Sequence, residues 1–350
     1  MRSSKPRWQH PQLQTGWIDR PHQKIGLGDF ILESGEVIRN FEISYVTHGR
    51  LAPAGDNAIL ALTAIGSIHH RLDFLIGPGR PLDPERHFII CADAIGNGMT
   101  TSPSNSLAQP DLAFPRFTIR DMVVSQQKLL DALGIDKLAA VVGASMGGMQ
   151  ALQWGVSDPL RMRSIVALVP MARTRPWASA MNEVARRILM LDQGWPSGPY
   201  GAGFDAWAAQ SRVITNRTPL ALEQIGNASK VAALVADAVA AARRAGPDPV
   251  DWVYQSFAYD GHDVGTTPEF GGDTAAALRS IRAPVLLLVP ELDLYNPVED
   301  AVESAKHIPD VTLVRVAGHA GHAVAADASP QIEDVRRAVG EFLVRCIGAA

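Results

Sequence analysis

A serine with a glycine two residues away on either side, Gly143-Ala-Ser145-Met-Gly147, follows directly on the apolar run Leu138–Val142 and opens a helical pattern reaching Trp154. A strand that turns abruptly into a helix holds its turn residue in a strained conformation with the side chain projecting, and small neighbours let the backbones approach. The helix start aims its free N–H groups at the serine, which favours negative charge developing there. Attack by Ser145 on a carbonyl carbon is the chemistry this pattern suits. Gly-x-Ser-x-Gly alone is a weak signal, and an idle serine in a glycine-rich turn is the ordinary alternative. The strand–turn–helix setting weighs against it.

Serine is a poor nucleophile until a base takes its proton, and the base needs an acid to orient it. In this setting they follow in the chain order Ser, Asp or Glu, His. The apolar run Val285–Val289 leads to Glu291-Leu-Asp293, with Asp293 the candidate acid in the loop and Glu291 the runner-up, otherwise an exposed loop carboxylate. The run Thr312–Val316 leads to two histidines, His319 and His322. A base reaches the serine from the far end of its loop, which favours His322 and leaves His319 to line the pocket. An oxyanion hole needs two backbone N–H groups. One comes from Met146, and the other from the loop after the run Ala58–Thr63. His69 and His70 follow in that loop and read as polar residues at the pocket rim, because no third ligand stands at a metal-binding spacing. No metal and no cofactor are expected.

Strands alternate with helices around these residues. Ile25–Leu32 and Val37–Thr47, broken by Glu33-Ser-Gly35, predict a hairpin. His87–Cys91 predicts a strand, with Cys91 a buried small hydrophobe. Thr118 is the expected N-cap of a helix that Gly134 stops, with Asp121 in its first turn. Further strands are expected at 164–169, 285–289 and 312–316, and helices from Val298 and over Ile332–Leu343. Such alternation predicts a mostly parallel sheet covered by helices on both faces. The rhythm breaks between Arg173 and Asp273, where an alanine-rich helix over Ser229–Ala245 is closed by Gly246 and Pro247. The predicted organisation is a core over 1–172, a helical lid insertion over 173–273 and the rest of the core over 274–350. Residues 1–25 read as a loosely attached polar leader.

Composition limits the function classes. The 350 residues are 47% hydrophobic and 19% charged, which excludes a mainly disordered chain. The net charge of −4 offers no basic field for a phosphate backbone, so nucleic acid is not an expected partner. Two cysteines build no disulfide framework, the N-terminus lacks the apolar core of a secretion signal, and no run is long enough to span a membrane. A cytoplasmic protein acting on small molecules, without membrane partners, is the expectation.

The segments Gly143-Ala-Ser-Met-Gly-Gly-Met-Gln-Ala-Leu-Gln-Trp154, Phe114-Pro-Arg-Phe-Thr-Ile-Arg-Asp-Met-Val123, Asn182-Glu-Val-Ala-Arg-Arg187 and Gly321-His322 resemble the homoserine O-acetyltransferase family of α/β-hydrolase-fold enzymes. The resemblance runs from about Phe41 to Phe342. It implies the α/β-hydrolase fold, a nucleophile, acid and base at Ser145, Asp293 and His322, and Ile65 as the second oxyanion donor. It also implies Arg186 as a partner for a substrate carboxylate, against the plain reading of a helix-surface charge beside Arg187, and a homodimer paired through the lid helices. Three departures stand out. Ile65-Gly-Ser67 replaces the family's usual Leu-Thr-Gly, and Gly96-Asn-Gly-Met-Thr-Thr-Ser-Pro103 replaces a Gly-Gly-Cys-x-Gly-Ser-Thr-Gly-Pro stretch. Ala323 stands where an aspartate usually follows the base histidine. An amino-acid acceptor brings an ammonium that needs a partner once desolvated.

Those departures make hydrolysis of small carboxylic esters through an acyl-Ser145 intermediate the leading expectation. The alternative moves an acetyl group from acetyl-coenzyme A, as donor substrate only, to homoserine or a similar hydroxyl acceptor. A non-catalytic binding protein on the same fold is the third reading, against which the intact Ser–Asp–His order argues. A serine-directed phosphonate should therefore add once, at Ser145, when the labelled protein is read by peptide mass spectrometry. Labelling at another serine would remove Ser145 from the role.

Overall fold

The computed structural model describes residues 10–348. A hairpin of β1 (Gln23–Ile31) and β2 (Val37–His48) opens the chain, followed by β3 (Ala58–Leu62) and β4 (Phe88–Ala92). Helix α1 (Ile119–Ala132), strand β5 (Ala140–Ala144), helix α2 (Met146–Ser157) and strand β6 (Ile165–Leu168) complete the first half. Six helices intervene before the next strand: α3 (Pro176–Met190), α4 (Ala202–Ala209), α5 (Pro219–Glu223), α6 (Ala228–Ala245), α7 (Pro249–Asp260) and α8 (Thr274–Arg279). The chain returns to the sheet with β7 (Val285–Pro290), α9 (Val298–Ala305), β8 (Val311–Val316) and α10 (Ile332–Ile347).

The eight strands form one sheet in the order β1-β2-β4-β3-β5-β6-β7-β8. Strand β2 runs antiparallel to β1 and β4, and every pairing from β4 to β8 is parallel. Side chains alternate between faces along a strand, so a sheet covered on both sides needs apolar residues at every position. In β5, Val141 packs with Met149, Leu152 and Trp154 of α2, whereas Ala140 and Val142 face the core that contains Val335, Val339 and Phe342 of α10. This is the mostly parallel α/β architecture that the alternation predicts.

Register brings the functional loops to one edge. Leu62 pairs with Gly143, Ala144 with Leu168, Leu168 with Leu288, and Pro290 with Val316. The segments after β3, β5, β7 and β8 therefore leave the sheet on the same side. The helical segments expected at α1 and α10 are present, and α1 carries a full capping box between Thr118 and Asp121. Within 173–273, helices and short turns fill the described chain, joined by one isolated bridge between Arg173 and Asp263. No helix among the described residues is long and apolar enough to cross a membrane.

Two expectations need correction. Residues 10–22 of the leader are not loose: the Ile18 N–H donates to Asp73 at 2.8 Å, and the Trp17 ring stacks on His70 with centroids 4.2 Å apart. Residues 1–9 lie outside the described residues. His69 and His70, expected as polar loop residues at the pocket rim, instead open a 3-10 helix, His69–Leu75, in which both are buried. Carboxylates behind them supply the hydrogen bonds that make this burial possible.

At the β5–α2 turn two glycines answer to space. A Cβ on Gly143 would lie 2.0 Å from the Gly147 carbonyl oxygen, and one on Gly147 would lie 2.8 Å from that of Leu62. Backbone cannot retreat as a flexible side chain can, so Gly143→Ala should cost at least about 1–3 kcal/mol. Equilibrium unfolding in urea measures it; an unchanged midpoint would show that the turn tolerates expansion.

Candidate active site

The β5–α2 turn puts Ser145 at φ +58° and ψ −123°, a conformation that side-chain-bearing residues avoid. Its N–H is tied to the Leu168 carbonyl at 2.9 Å, and its carbonyl accepts from Met149 at 3.0 Å, so the turn is fixed from both ends. The side chain stands clear of the sheet, with Met146 as the first residue of α2 directly behind it.

The loops after β7 and β8 supply its partners. Ser145 Oγ lies 2.8 Å from His322 Nε2, and His322 Nδ1 lies 2.7 Å from Asp293 Oδ2. With the Nδ1 proton shared with Asp293, Nε2 presents a lone pair to the serine hydroxyl. The other Asp293 oxygen accepts the N–H groups of Tyr295 at 2.8 Å and Asn296 at 3.0 Å, which fixes the carboxylate plane. All three side chains are buried. The arrangement can move a proton from Ser145 to His322 while Asp293 stabilises the imidazolium. His319 is exposed away from this line, and Glu291 reaches only the Gly318 N–H, at 3.4 Å.

The loop bearing Ile65 is held with comparable care. On either side of Ile65, the N–H of Ala64 donates to Ser67 Oγ and that of Gly66 to Gln255 Oε1, both at 2.8 Å. Behind the loop runs a buried chain of bonds. Trp154 Nε1 donates to Gln126, Gln126 to Gln150, and Gln150 to the Thr63 carbonyl, at 2.7, 2.6 and 2.9 Å. This network ties α1 and α2 to the loop, so its donors are set before substrate arrives.

Arg186, read from the resemblance as a substrate partner and otherwise as a surface charge, is buried and does not line the cavity. Its guanidinium is buried, 2.7 Å from Asp260 and 3.0 Å from Glu183 and Ser256 Oγ, and packs over the Phe257 ring. Asp260 in turn accepts from Asn182 at 2.8 Å, Asn182 accepts the Tyr295 hydroxyl at 2.6 Å, and the Tyr295 ring packs edge-on against His322. Arg186 thus acts through intermediates on the imidazole. Burial raises the Asp260 carboxyl above the usual range, opposed by its bonds to Asn182 and Arg186. The signal for this chain was present at Asn182 and Tyr295, but their pairing across 113 positions has no sequence signature.

A cavity of about 230 Å³ reaches Ser145 and His322, walled by Ile65, Met181, Trp207 and Trp252. It shares Arg71, Arg212 and Asn216 with an adjoining space of about 760 Å³ that adds Arg217 and His319. No carboxylate lines the smaller cavity among the described residues. Burial lowers Arg71 to about 10 and also lowers Arg212 and Arg217, as happens when a cation is desolvated. Neither Arg71 nor Arg212 forms an ion pair among the described residues; Arg71 donates to the Ala325 carbonyl at 2.6 Å. Sequence reasoning missed both, because isolated arginines give no signal of what they face.

His322→Ala should lower turnover at least about a thousandfold, as much as Ser145→Ala, since the members of such a line act as a unit. His319→Ala should stay within about tenfold of the wild type. Steady-state kinetics with one activated ester checks both; the reverse order of severity would move the base role to His319.

Comparison with known proteins places this geometry. A family model described as alpha/beta hydrolase fold matches residues 79–328. Homoserine O-acetyltransferase from Carboxydothermus hydrogenoformans is 41% identical over 196 residues, which are 51% of this chain and 52% of that protein. The enzyme of the same name from Caulobacter vibrioides is 41% identical over 186 residues, 48% and 49% of the two chains. The chain covers about half the length of these relatives. Among solved structures, an acetylester hydrolase from Corynebacterium glutamicum superposes with a TM-score of 0.84 at 26% identity, covering 92% of this chain and 96% of its own. A homoserine O-acetyltransferase from Bacillus anthracis gives 0.79 at 22% identity, covering 94% and 99%, and shares the fold. The chain belongs to the alpha/beta hydrolase fold family and, within it, is similar to the homoserine O-acetyltransferases.

Proposed function

We propose that this protein transfers a short acyl group through an acyl-Ser145 intermediate to a small hydroxyl-bearing acceptor that carries an anionic group. The observation that carries the reading is the pair Arg71 and Arg212, half-buried in the cavity that holds Ser145 and His322 and without an ion-pair partner among the described residues. A desolvated cation without a counter-charge is stabilised by an anion that enters the cavity. The carboxylate of homoserine has that charge, and the relatives named homoserine O-acetyltransferase support transfer better than the hydrolysis expected from the sequence.

Ser145 Oγ attacks the donor carbonyl as His322 takes its proton, and Asp293 holds the imidazole. The N–H groups of Met146 and Ile65 receive the oxyanion. The imidazolium protonates the leaving thiolate or alkoxide, and the acyl group stays on Ser145. The acceptor hydroxyl then gives its proton to His322 and attacks the acyl carbon; the acyl–Oγ bond breaks and the imidazolium returns the proton to Ser145 Oγ. The smaller cavity suits a short acyl chain. The adjoining space with Arg71, Arg212 and Arg217 suits the anionic part of a donor such as acetyl-coenzyme A, bound as substrate. Pairing of two copies through α6, whose apolar face is only partly covered, belongs to the same proposal.

A second reading, ester hydrolysis, has its own support. Position 323 is alanine and the smaller cavity has no carboxylate, so a substrate ammonium lacks a partner there, and the Corynebacterium glutamicum structure is described as an acetylester hydrolase. Parallel kinetics with acetyl-coenzyme A plus homoserine and with a small acetyl ester in water decide between them. Transfer predicts O-acetylhomoserine formed faster than any ester is hydrolysed; unchanged acid release with no O-acyl product assigns hydrolysis instead. Under transfer, Arg212→Gln should raise the acceptor KM about 10–100-fold with a smaller change in kcat, the loss of one charge-assisted hydrogen bond.

A further inference from the structure

We propose that His10, His22 and His69 bind a divalent transition-metal ion, best matched by Zn2+, which clamps the N-terminal segment onto the helix that follows the oxyanion loop. Their ligand nitrogens lie within 4.8 Å of one another. The three come from distant parts of the chain, which is why the spacing of His69 and His70 disclosed no third ligand. His10 and His22 belong to the leader, outside the catalytic line and outside every element of the sheet.

The orientation of the rings favours a metal. His69 Nδ1 is 3.2 Å from Asp93, and the neighbouring His70 Nδ1 is 2.6 Å from Asp73. A carboxylate behind Nδ1 holds that nitrogen protonated and leaves Nε2 with a lone pair, the backing usual for metal-bound histidine. His22 Nε2 lies 3.1 Å from His69 Nε2, and His10 Nε2 lies 3.0 Å from His70 Nε2. Zn–N bonds of about 2.0–2.1 Å in tetrahedral geometry set ligand nitrogens about 3.3–3.4 Å apart. The His22–His69 pair needs to widen by only a few tenths of an ångström, and the remaining pairs of the triad, all within 4.8 Å, close onto the ion by small ring movements. Imidazole nitrogen suits zinc better than calcium or magnesium.

Asp93 is itself fixed, accepting from the His69 N–H at 2.8 Å, Asn97 at 2.8 Å and Ser44 Oγ at 2.9 Å. The ordinary alternative is a metal-free cluster in which each imidazole donates to its neighbour. That arrangement uses the same Nδ1-protonated tautomers and satisfies the nitrogens in pairs, so metal retention is what separates the two. An ion there would also fix the segment only four residues beyond Ile65.

The test uses the full chain, stripped with a chelator, reloaded with Zn2+ and passed through a desalting column. Elemental analysis should give about one ion per chain. Co2+ in its place should give the intense visible absorption of a tetrahedral site. His22 is exposed, so His22→Ala opens no core; it should weaken Zn2+ binding at least about tenfold and abolish the loss of thermal stability that the chelator causes in the wild type. His10→Ala should do the same. Failure of the reloaded wild type to retain zinc, or equal retention by wild type and both variants, would overturn the site.

Discussion

Everything at the site depends on one backbone constraint, the left-handed turn at Ser145. Holding a side-chain-bearing residue at φ +58° costs roughly 1–3 kcal/mol, and it persists only where the surroundings leave no alternative. Here they leave none. The parallel ladder fixes β5 between β3 and β6, the Leu168 carbonyl takes the serine N–H, and α2 starts at the next residue. Because Gly143 meets Gly147 across the turn, strand and helix approach closely enough for the hydroxyl to stand at the sheet edge.

The other groups are positioned relative to that fixed point. Asp293 has one oxygen on His322 and the other on two backbone N–H groups, so its loop cannot relax without losing three bonds. From the opposite side, the buried line Arg186–Asp260–Asn182–Tyr295 ends against the imidazole. The loop bearing Ile65 is anchored through Gln150 to the helix that begins after Ser145. Ser145, His322, Asp293 and the loop bearing Ile65 therefore rest on one rigid frame, with Arg71 and Arg212 lining the same cavity.

Local patterns disclosed most of the fold and the three side chains, Ser145, Asp293 and His322, that the structure brings together. The strand–turn–helix at Ser145, the apolar runs before Asp293 and His322 and the capping box of α1 are each contained within a dozen residues. What stayed hidden depends on distant pairing. Arg186 sits beside Arg187 in a sequence that reads as surface, yet Asp260, 74 positions on, draws it inside. His69 and His70 read as rim residues until Asp93, Asp73 and the leader histidines close around them. Arg71 and Arg212 belong to different elements and meet only at the cavity, so their convergence had no local trace.

The central claim is that chemistry passes through an acyl group on Ser145. Rapid-mixing kinetics with an activated acetyl ester reads it most directly. The account predicts a burst of leaving group stoichiometric with the enzyme, followed by a slower steady state set by deacylation, and no burst from a Ser145→Ala protein. A burst of full amplitude from that variant would contradict the account.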